Sequence, residues 1–340
     1  MNTDFQLNLF GESKQEPIVD QIDLHSYDTY IVTFSGGKDS MGTLLYLLDE
    51  GLPLNKIELW HHDVDGEGET LFDWECTRDY CKQFAAAFGL PIYFSWKEGG
   101  FLREMLRNNE PTAPIVFETP DQGLVKIGGK GEPNTRRKFP QIVADLRTRW
   151  CSSYLKIDVG SSAIRNQKRF DHSRTLVISG ERGEESAARS KYKVFEPDRA
   201  DSRGKIKGRH VDRFRPILHW LEEDVWKIIE RYKIRVHPAY YLGWGRVSCK
   251  FCIFGNANQF ASAFAVSPSK AETLVELEAD FGYTMKRNET LLELVAKGKV
   301  YESMNKDLIS IATSEIYTLP IFTNNWILPA GAYGESCGPM

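Results

Sequence analysis

The sequence predicts an α/β fold, a doubly wound, mostly parallel sheet with helices on both faces, followed by a smaller helical and irregular C-terminal region. Three observations carry this. Short β-branched and aromatic runs alternate with helical stretches between residues 28 and 94. A glycine-rich turn joins the first such run to the first helix. The 340 residues suffice for one large α/β domain plus an appendage.

Residues 1–25 are polar, carry Gly11 and Pro17, and read as an N-terminal arm. Tyr30-Ile-Val-Thr-Phe34 suits a buried strand, and the turn Ser35-Gly-Gly-Lys-Asp-Ser40 follows at once. Met41 to Glu50 then places Leu44, Leu45, Leu47 and Leu48 at helical spacing and stops at Gly51. Lys56–Trp60 is a second strand, running into His61-His-Asp-Val-Asp-Gly66. An amphipathic helix fits Thr70–Phe88, closed by Gly89, and Pro91–Phe94 is a third strand. Pro111–Arg149 is rich in Gly, Pro and basic residues and is expected to be a long excursion at the open edge of the site. Thr175–Ser179 is a further buried strand ending at Gly180, and Leu221–Tyr232 a helix with Val225, Trp226, Ile228 and Ile229 on its buried face. Pro268–Ala296 reads as one or two helices and 317–340 as irregular chain. The α/β domain is thus expected over 26–235 and the C-terminal region over 236–340.

Composition narrows the class. With 41% hydrophobic and 26% charged residues the chain is neither disordered nor fibrous. No uninterrupted apolar stretch approaches the roughly 20 residues a membrane helix needs, and the start lacks a signal-peptide pattern. Six cysteines are too few for a disulfide framework, so a reducing, cytoplasmic location is expected. The net charge of −4 argues against coating nucleic acid by bulk positive charge. Two segments are nonetheless basic. Arg199–Arg215 holds Arg199, Arg203, Lys205, Lys207, Arg209, Arg213 and Arg215; Arg136–Arg149 holds Arg136, Arg137, Lys138, Arg147 and Arg149. They are either solvated loops or a surface for phosphate or a nucleic-acid backbone. Homo-oligomer formation stays open.

The chemistry concentrates in Ser35, Gly36, Gly37, Lys38, Asp39 and Ser40, between a predicted strand and a predicted helix. Glycines let backbone N–H groups approach phosphate oxygens, and the helix adds the positive end of its dipole. Lys38 supplies a cation, and Ser35 and Ser40 supply hydroxyl donors. The spacing differs from the Walker loop.

This string resembles the PP-loop of the N-type ATP pyrophosphatase superfamily, in particular the phosphoadenosine phosphosulfate reductase-like family, over roughly residues 28–256. The resemblance extends through Trp150-Cys-Ser-Ser-Tyr-Leu-Lys156, Gly180-Glu-Arg-Gly-Glu-Glu-Ser-Ala-Ala-Arg189, Phe214–Trp220 and His237 to Cys252. It implies binding of ATP or an adenylyl sulfate, with Asp63 holding ribose or Mg²⁺, Asp65 holding Mg²⁺, and Gly180 and Arg182 at the nucleotide. Lys38, Asp39, Lys156, Arg182 and Arg189 are the catalytic candidates it implies. The guanidinium forks of Arg182 and Arg189 suit an anionic phosphate or sulfate.

Cys249 and Cys252 form a C-x-x-C pair, with Cys151 far upstream. Such thiols can bind zinc or an iron–sulfur cluster, act as a redox dithiol, or be plain buried thiols. The resemblance implies a [4Fe–4S] cluster, although Ser152 stands where many relatives carry a second cysteine; Cys337 or an open iron would complete the set. Cys337 is also a candidate nucleophile, because the tail Gly334-Glu-Ser-Cys-Gly338 is similar to the C-terminal motif of sulfonucleotide reductases. The full PP-loop string favours cleavage at the α-phosphate, in the service of sulfur transfer to a nucleic acid or small acceptor. A thiol-dependent reductase of an adenylyl sulfate and a non-catalytic nucleic-acid-binding or regulatory protein are the alternatives.

Overall fold

The computed structural model describes residues 22–143, 145–247 and 249–334. The arm expected at 1–25 falls mostly outside them, and Cys337 entirely so.

Eight strands form one sheet: β1 (Thr29–Thr33), β2 (Ile57–Asp63), β3 (Ile92–Lys97), β4 (Ile115–Thr119), β5 (Gly123–Ile127), β6 (Arg174–Ile178), β7 (Phe195–Pro197) and β8 (His210–Phe214). Their spatial order is β5-β4-β3-β2-β1-β6-β8-β7. The β3-β2-β1-β6-β8 core is parallel, and β4, β5 and β7 extend it antiparallel at the two edges. The doubly wound prediction therefore holds. The chain winds outward from β1 through β2 to β3 and then returns to β6 on the other side of β1. A switch point thus lies between the carboxyl ends of β1 and β6, where open α/β sheets leave a crevice.

Period-2 alternation along β1 sorts its side chains onto two faces. Tyr30 and Val32 join one apolar cluster with Met41, Leu44 and Leu45 of α1 (Lys38–Asp49), Tyr80 and Phe84 of α2 (Thr77–Phe88), and Val225 and Ile229 of α6 (Glu222–Arg231). Ile31 points the other way, with Trp60 and Val177, against Ala163 and Ile164 of α5 (Asp158–Arg165). A third cluster joins α3 (Gly100–Leu106) and Trp150 of α4 (Trp150–Ser152) to the C-terminal elements α7 (Pro238–Tyr241), α8 (Ala257–Val266), α9 (Pro268–Phe281), α10 (Leu291–Lys297) and α11 (Lys306–Ala312). Among the described residues no helix is long and apolar enough to cross a membrane.

Two expectations are corrected. The helix expected from Thr70 begins only at Thr77, because the Asp65 carboxylate accepts the backbone N–H groups of Phe72 and Asp73 at 2.9 and 2.8 Å and holds that stretch as a turn. Part of the excursion at 111–149 is the β4–β5 hairpin, which continues the sheet.

Candidate functional site

The loop after β1 turns at Gly36, whose φ of +75° suits glycine, and α1 starts with Gly37 at its N-cap and no side-chain cap. Its hydroxyls are folded inward. Ser40 Oγ donates to the Gly37 carbonyl at 2.8 Å, while the Ser35 and Gly37 N–H groups reach only Ser40 Oγ and Ser35 Oγ at 3.3 and 3.4 Å. Donors held that loosely can be exchanged for an anion at little cost.

Lys38 does not follow the expectation of a mobile phosphate-binding cation. It is 2% exposed, and its ammonium donates to the Gly245 carbonyl at 2.9 Å, beside Glu222 at 3.5 Å and Asp39 at 3.7 Å. The Tyr240 hydroxyl accepts its backbone N–H at 2.8 Å. Burial works against the charge, but Asp39, Tyr240 and Glu222 outweigh it and hold the lysine pKa above its ordinary value. Lys38 is thus a strut between the loop and residues 240–245.

The loop after β6 meets the first one at the switch point. A Cβ on Gly180 would sit 2.6 Å from the Asp39 carbonyl oxygen, so only glycine permits this approach. Arg182 Nε donates to Asp39 at 2.6 Å and its guanidinium also pairs with Glu184. Burial pushes the Asp39 carboxyl up, yet Lys38 and Arg182 together hold it below the carboxylate range. Arg182 is 3% exposed and satisfied by carboxylates; it locks the loops rather than facing the cleft, which corrects its expected nucleotide contact. Arg189 does face it, paired with Glu185, and burial followed by the nearby Arg246 lowers its pKa.

Between these loops and the opposite wall lies a cleft of about 450 Å³, lined by Ser35, Gly37, Asp39, Ser40 and Gly180 on one side. That volume is in the range of small-ligand sites. The opposite wall is built by α4, a π-helical turn at Ser153–Ile157 and α5, and it presents Arg149, Ser152, Lys156 and Ser161. π turns are frequent at functional sites because they re-aim side chains. Lys156 makes no hydrogen bond or salt bridge with the described residues, and Arg149 Nε is buried with no hydrogen-bond partner among them. Arg213 and Arg246 complete the cationic lining, each held by an acid: Arg213 by Asp198 at 2.6 Å and Arg246 by Glu185 at 3.5 Å.

Sequence reasoning missed His62, Ser161 and Arg246 as lining residues. His62 had a signal, since strand alternation places it on the Trp60 side of β2. Ser161 and Arg246 had none, because only tertiary packing brings them to the cleft.

Asp63 and Asp65 lie outside this cleft. Asp63 Oδ1 accepts the Asp65 and Gly66 N–H groups at 3.1 and 3.0 Å and Oδ2 accepts Arg78 at 3.1 Å, so its oxygens are committed to the turn after β2. Burial, with Asp73 and Asp63 adding to it, pushes the Asp65 carboxyl up to about 7. Neither fits the Mg²⁺ or ribose role expected for it.

Burial, with Cys252 adding to it, pushes the Cys151 thiol up to about 11, and burial raises Cys249 well above the ordinary thiol value. Among the described residues no group of three or more His, Cys, Asp or Glu side chains is arranged to hold a metal ion. The described cysteines are thus not gathered into a three-ligand set.

The arginines of the basic stretch Arg199–Arg215 are paired with acids, most of them from outside the stretch. Arg199 pairs with Asp158 at 3.0 Å, Arg203 with Asp201 at 2.9 Å, Arg209 with Asp171 at 2.8 Å and Arg215 with Glu196 at 2.8 Å. In Arg136–Arg149, Arg136 meets Glu104 at 3.3 Å and Arg137 meets Asp280 at 2.7 Å.

The chain is similar to several known proteins. The profile of the phosphoadenosine phosphosulfate reductase domain matches residues 131–254. The chain is 33% identical over 268 residues to the uncharacterized 37.8 kDa protein in the gpa 5' region of Escherichia phage 186, covering 73% of this chain and 74% of that protein. It is 27% identical over 75 residues to the adenosine 5'-phosphosulfate reductase of Burkholderia cepacia, covering 22% of this chain and 27% of that enzyme. Among solved structures, Candida glabrata FMN adenylyltransferase with FMN and an ATP analogue aligns with a TM-score of 0.38 at 10% identity, over 69% of this chain and 59% of that one. With its PP-loop at the switch point of a doubly wound sheet, the chain belongs to the phosphoadenosine phosphosulfate reductase-like family.

Proposed function

We propose that the cleft binds an adenine nucleotide, ATP in the first instance, and supports adenylyl transfer with release of pyrophosphate. The observation that carries this is the meeting of the Ser35–Ser40 loop and the Gly180–Arg189 loop in one cleft whose far wall adds Lys156 and Arg149. Loop N–H groups and the α1 N-terminus would receive phosphate oxygens. An acceptor oxygen or sulfur attacks the α-phosphorus, the bond to the bridging oxygen breaks, and its electron pair leaves with pyrophosphate. Lys156 and Arg189, which line the cleft, would offset the negative charge that develops, which is where electrostatic catalysis acts. Transfer of sulfur to a nucleic acid or small acceptor is the downstream use we favour.

Pyrophosphate release from ATP in the presence of candidate acceptors tests this. The expected result is release that depends on Lys156 and Arg189; none with any acceptor would reject it. The match to an adenosine 5'-phosphosulfate reductase supports a second reading, thiol-dependent reduction of an adenylyl sulfate. Sulfite formation without pyrophosphate release would select that one.

A further inference from the structure

The sheet carries a second cavity on its other face. Strand alternation sends His62 of β2 into the cleft and His61 the opposite way, towards α2, where a space of about 440 Å³ opens beside the carboxyl end of β2. That is again the size of a small-ligand site. The two cavities share no lining residue.

The lining of this second cavity is acidic, and much of its charge is unanswered. Asp63 is paired with Arg78 at 3.1 Å, and Glu75 with Lys250 and Lys270 at 2.9 and 2.6 Å. Among the described residues, Glu67, Asp73, Asp79 and Glu315 make no salt bridge, and Lys82 is the single lining cation left to face them. Asp73 stands just before α2. Its Oδ1 accepts the Trp74 N–H at 2.8 Å and the Thr77 hydroxyl at 3.3 Å, while Oδ2 has no hydrogen-bond partner among the described residues. Burial, with Asp63 adding to it, pushes the Asp73 carboxyl up to about 6, as befits a carboxylate short of counter-charge.

His61 points to a ligand independently of the acids. It is 4% exposed and lines the cavity. The Phe34 carbonyl lies 2.9 Å from Nδ1 and can only accept, so Nδ1 carries the proton; the Cys81 thiol is the longer contact at 3.5 Å. With Nδ1 turned to Phe34, Nε2 is left holding a lone pair and has no partner among the described residues. Burial lowers the imidazole pKa below its ordinary value, so the ring is neutral. A buried acceptor left open is costly unless something donates to it.

His61 Nε2 and Asp73 Oδ2 both accept only, and the surplus charge around them is negative. An ammonium group answers both needs, with several N–H donors, one positive charge and no acceptor. Trp74, also in the wall, offers an alkyl chain an apolar, electron-rich surface. A metal ion suits the cavity less, because no three ligands are gathered here among the described residues. We propose that this cavity binds an aliphatic amine, with the Asp73 carboxylate receiving its ammonium and His61 Nε2 accepting one of its N–H groups. Binding here does not depend on what fills the cleft.

Calorimetric titration of the full-length chain with 1,4-diaminobutane tests this, with tetramethylammonium and Mg²⁺ as competing probes. The diamine is expected to bind saturably, and tetramethylammonium, equally cationic but without an N–H, about ten-fold more weakly or worse. Asp73→Asn keeps an acceptor for the Trp74 N–H, so its thermal midpoint should match wild type while its diamine affinity falls by about ten-fold or more. Glu67→Gln, on the exposed rim, should weaken the diamine by about two-fold through charge alone. Absence of saturable binding, or full wild-type affinity in both variants, overturns the site. Mg²⁺ binding that displaces the diamine and is lost in Asp73→Asn overturns it in favour of a metal site.

Discussion

The two walls of the cleft are built on opposite plans. On the PP-loop wall, Lys38, Asp39 and Arg182 satisfy one another, and Lys38 is further tied to Gly245 and Glu222. On the facing wall, Lys156 has no hydrogen bond or salt bridge to a described residue, and Arg149 Nε and Ser161 Oγ lack hydrogen-bond partners among them. The first wall spends its charges on holding a backbone shape and leaves the loop N–H groups for the proposed ligand. The second leaves polar groups without partners among the described residues. Charge in a motif is therefore no guide to which residues touch substrate.

That contrast can be broken most directly at Lys38. Lys38→Met should destabilise the fold by about 3 kcal/mol, the usual cost of stripping one partner from a buried ionic network, as read by urea unfolding. Unchanged stability with lost turnover would mean that the ammonium serves the ligand after all. Lys156→Ala is expected to do the converse, moving stability by no more than about 0.5 kcal/mol while weakening nucleotide binding by about ten-fold or more.

A third measurement concerns the turn after β2, which is neither wall. The Asp65 carboxyl is pushed up to about 7 when folded, above its unfolded value near 3.8. The folded chain then holds the extra proton, so Asp65 stabilises the fold below about pH 4, and that stability is lost as pH rises through about 7. Asp65→Asn keeps an acceptor for the Phe72 and Asp73 N–H groups. It should unfold at a higher temperature than wild type at pH 8, by the equivalent of about 1 kcal/mol or more, with the gap closing towards pH 4. A gap that stays constant with pH would contradict this. The smallest effect is expected at Arg147, an exposed residue paired, among the described residues, with Asp145 across 3.0 Å: Arg147→Ala should leave both the unfolding midpoint and nucleotide affinity unchanged.

Much of the frame was legible because it is local. The β1 run, the glycine turn and the leucines of α1 follow each other along the chain, and Gly89 ends α2 with a φ of +65°. The resemblance named the loops around Gly37 and Gly180, which line the same cleft. What escaped was set by partners distant in sequence. Lys38 turns inward because Gly245 and Tyr240 meet it there, and no spacing within the motif encodes that. The arginines of 199–215 read as either solvated loops or a basic surface because their acids, such as Asp158 and Asp171, lie elsewhere in the chain.

The π turn at Ser153–Ile157 has one more consequence. A π turn holds one residue more than an α turn, so it shifts the angular phase of everything after it by about 100°. Upstream of it Arg149, at the N-cap of α4, lines the cleft; downstream α5 lines it with Gly160 and Ser161. Deleting a single residue there would restore a smooth helix yet swing that face of α5 away from the cleft. The chain length of this turn is thus a setting in its own right, independent of which side chains it carries.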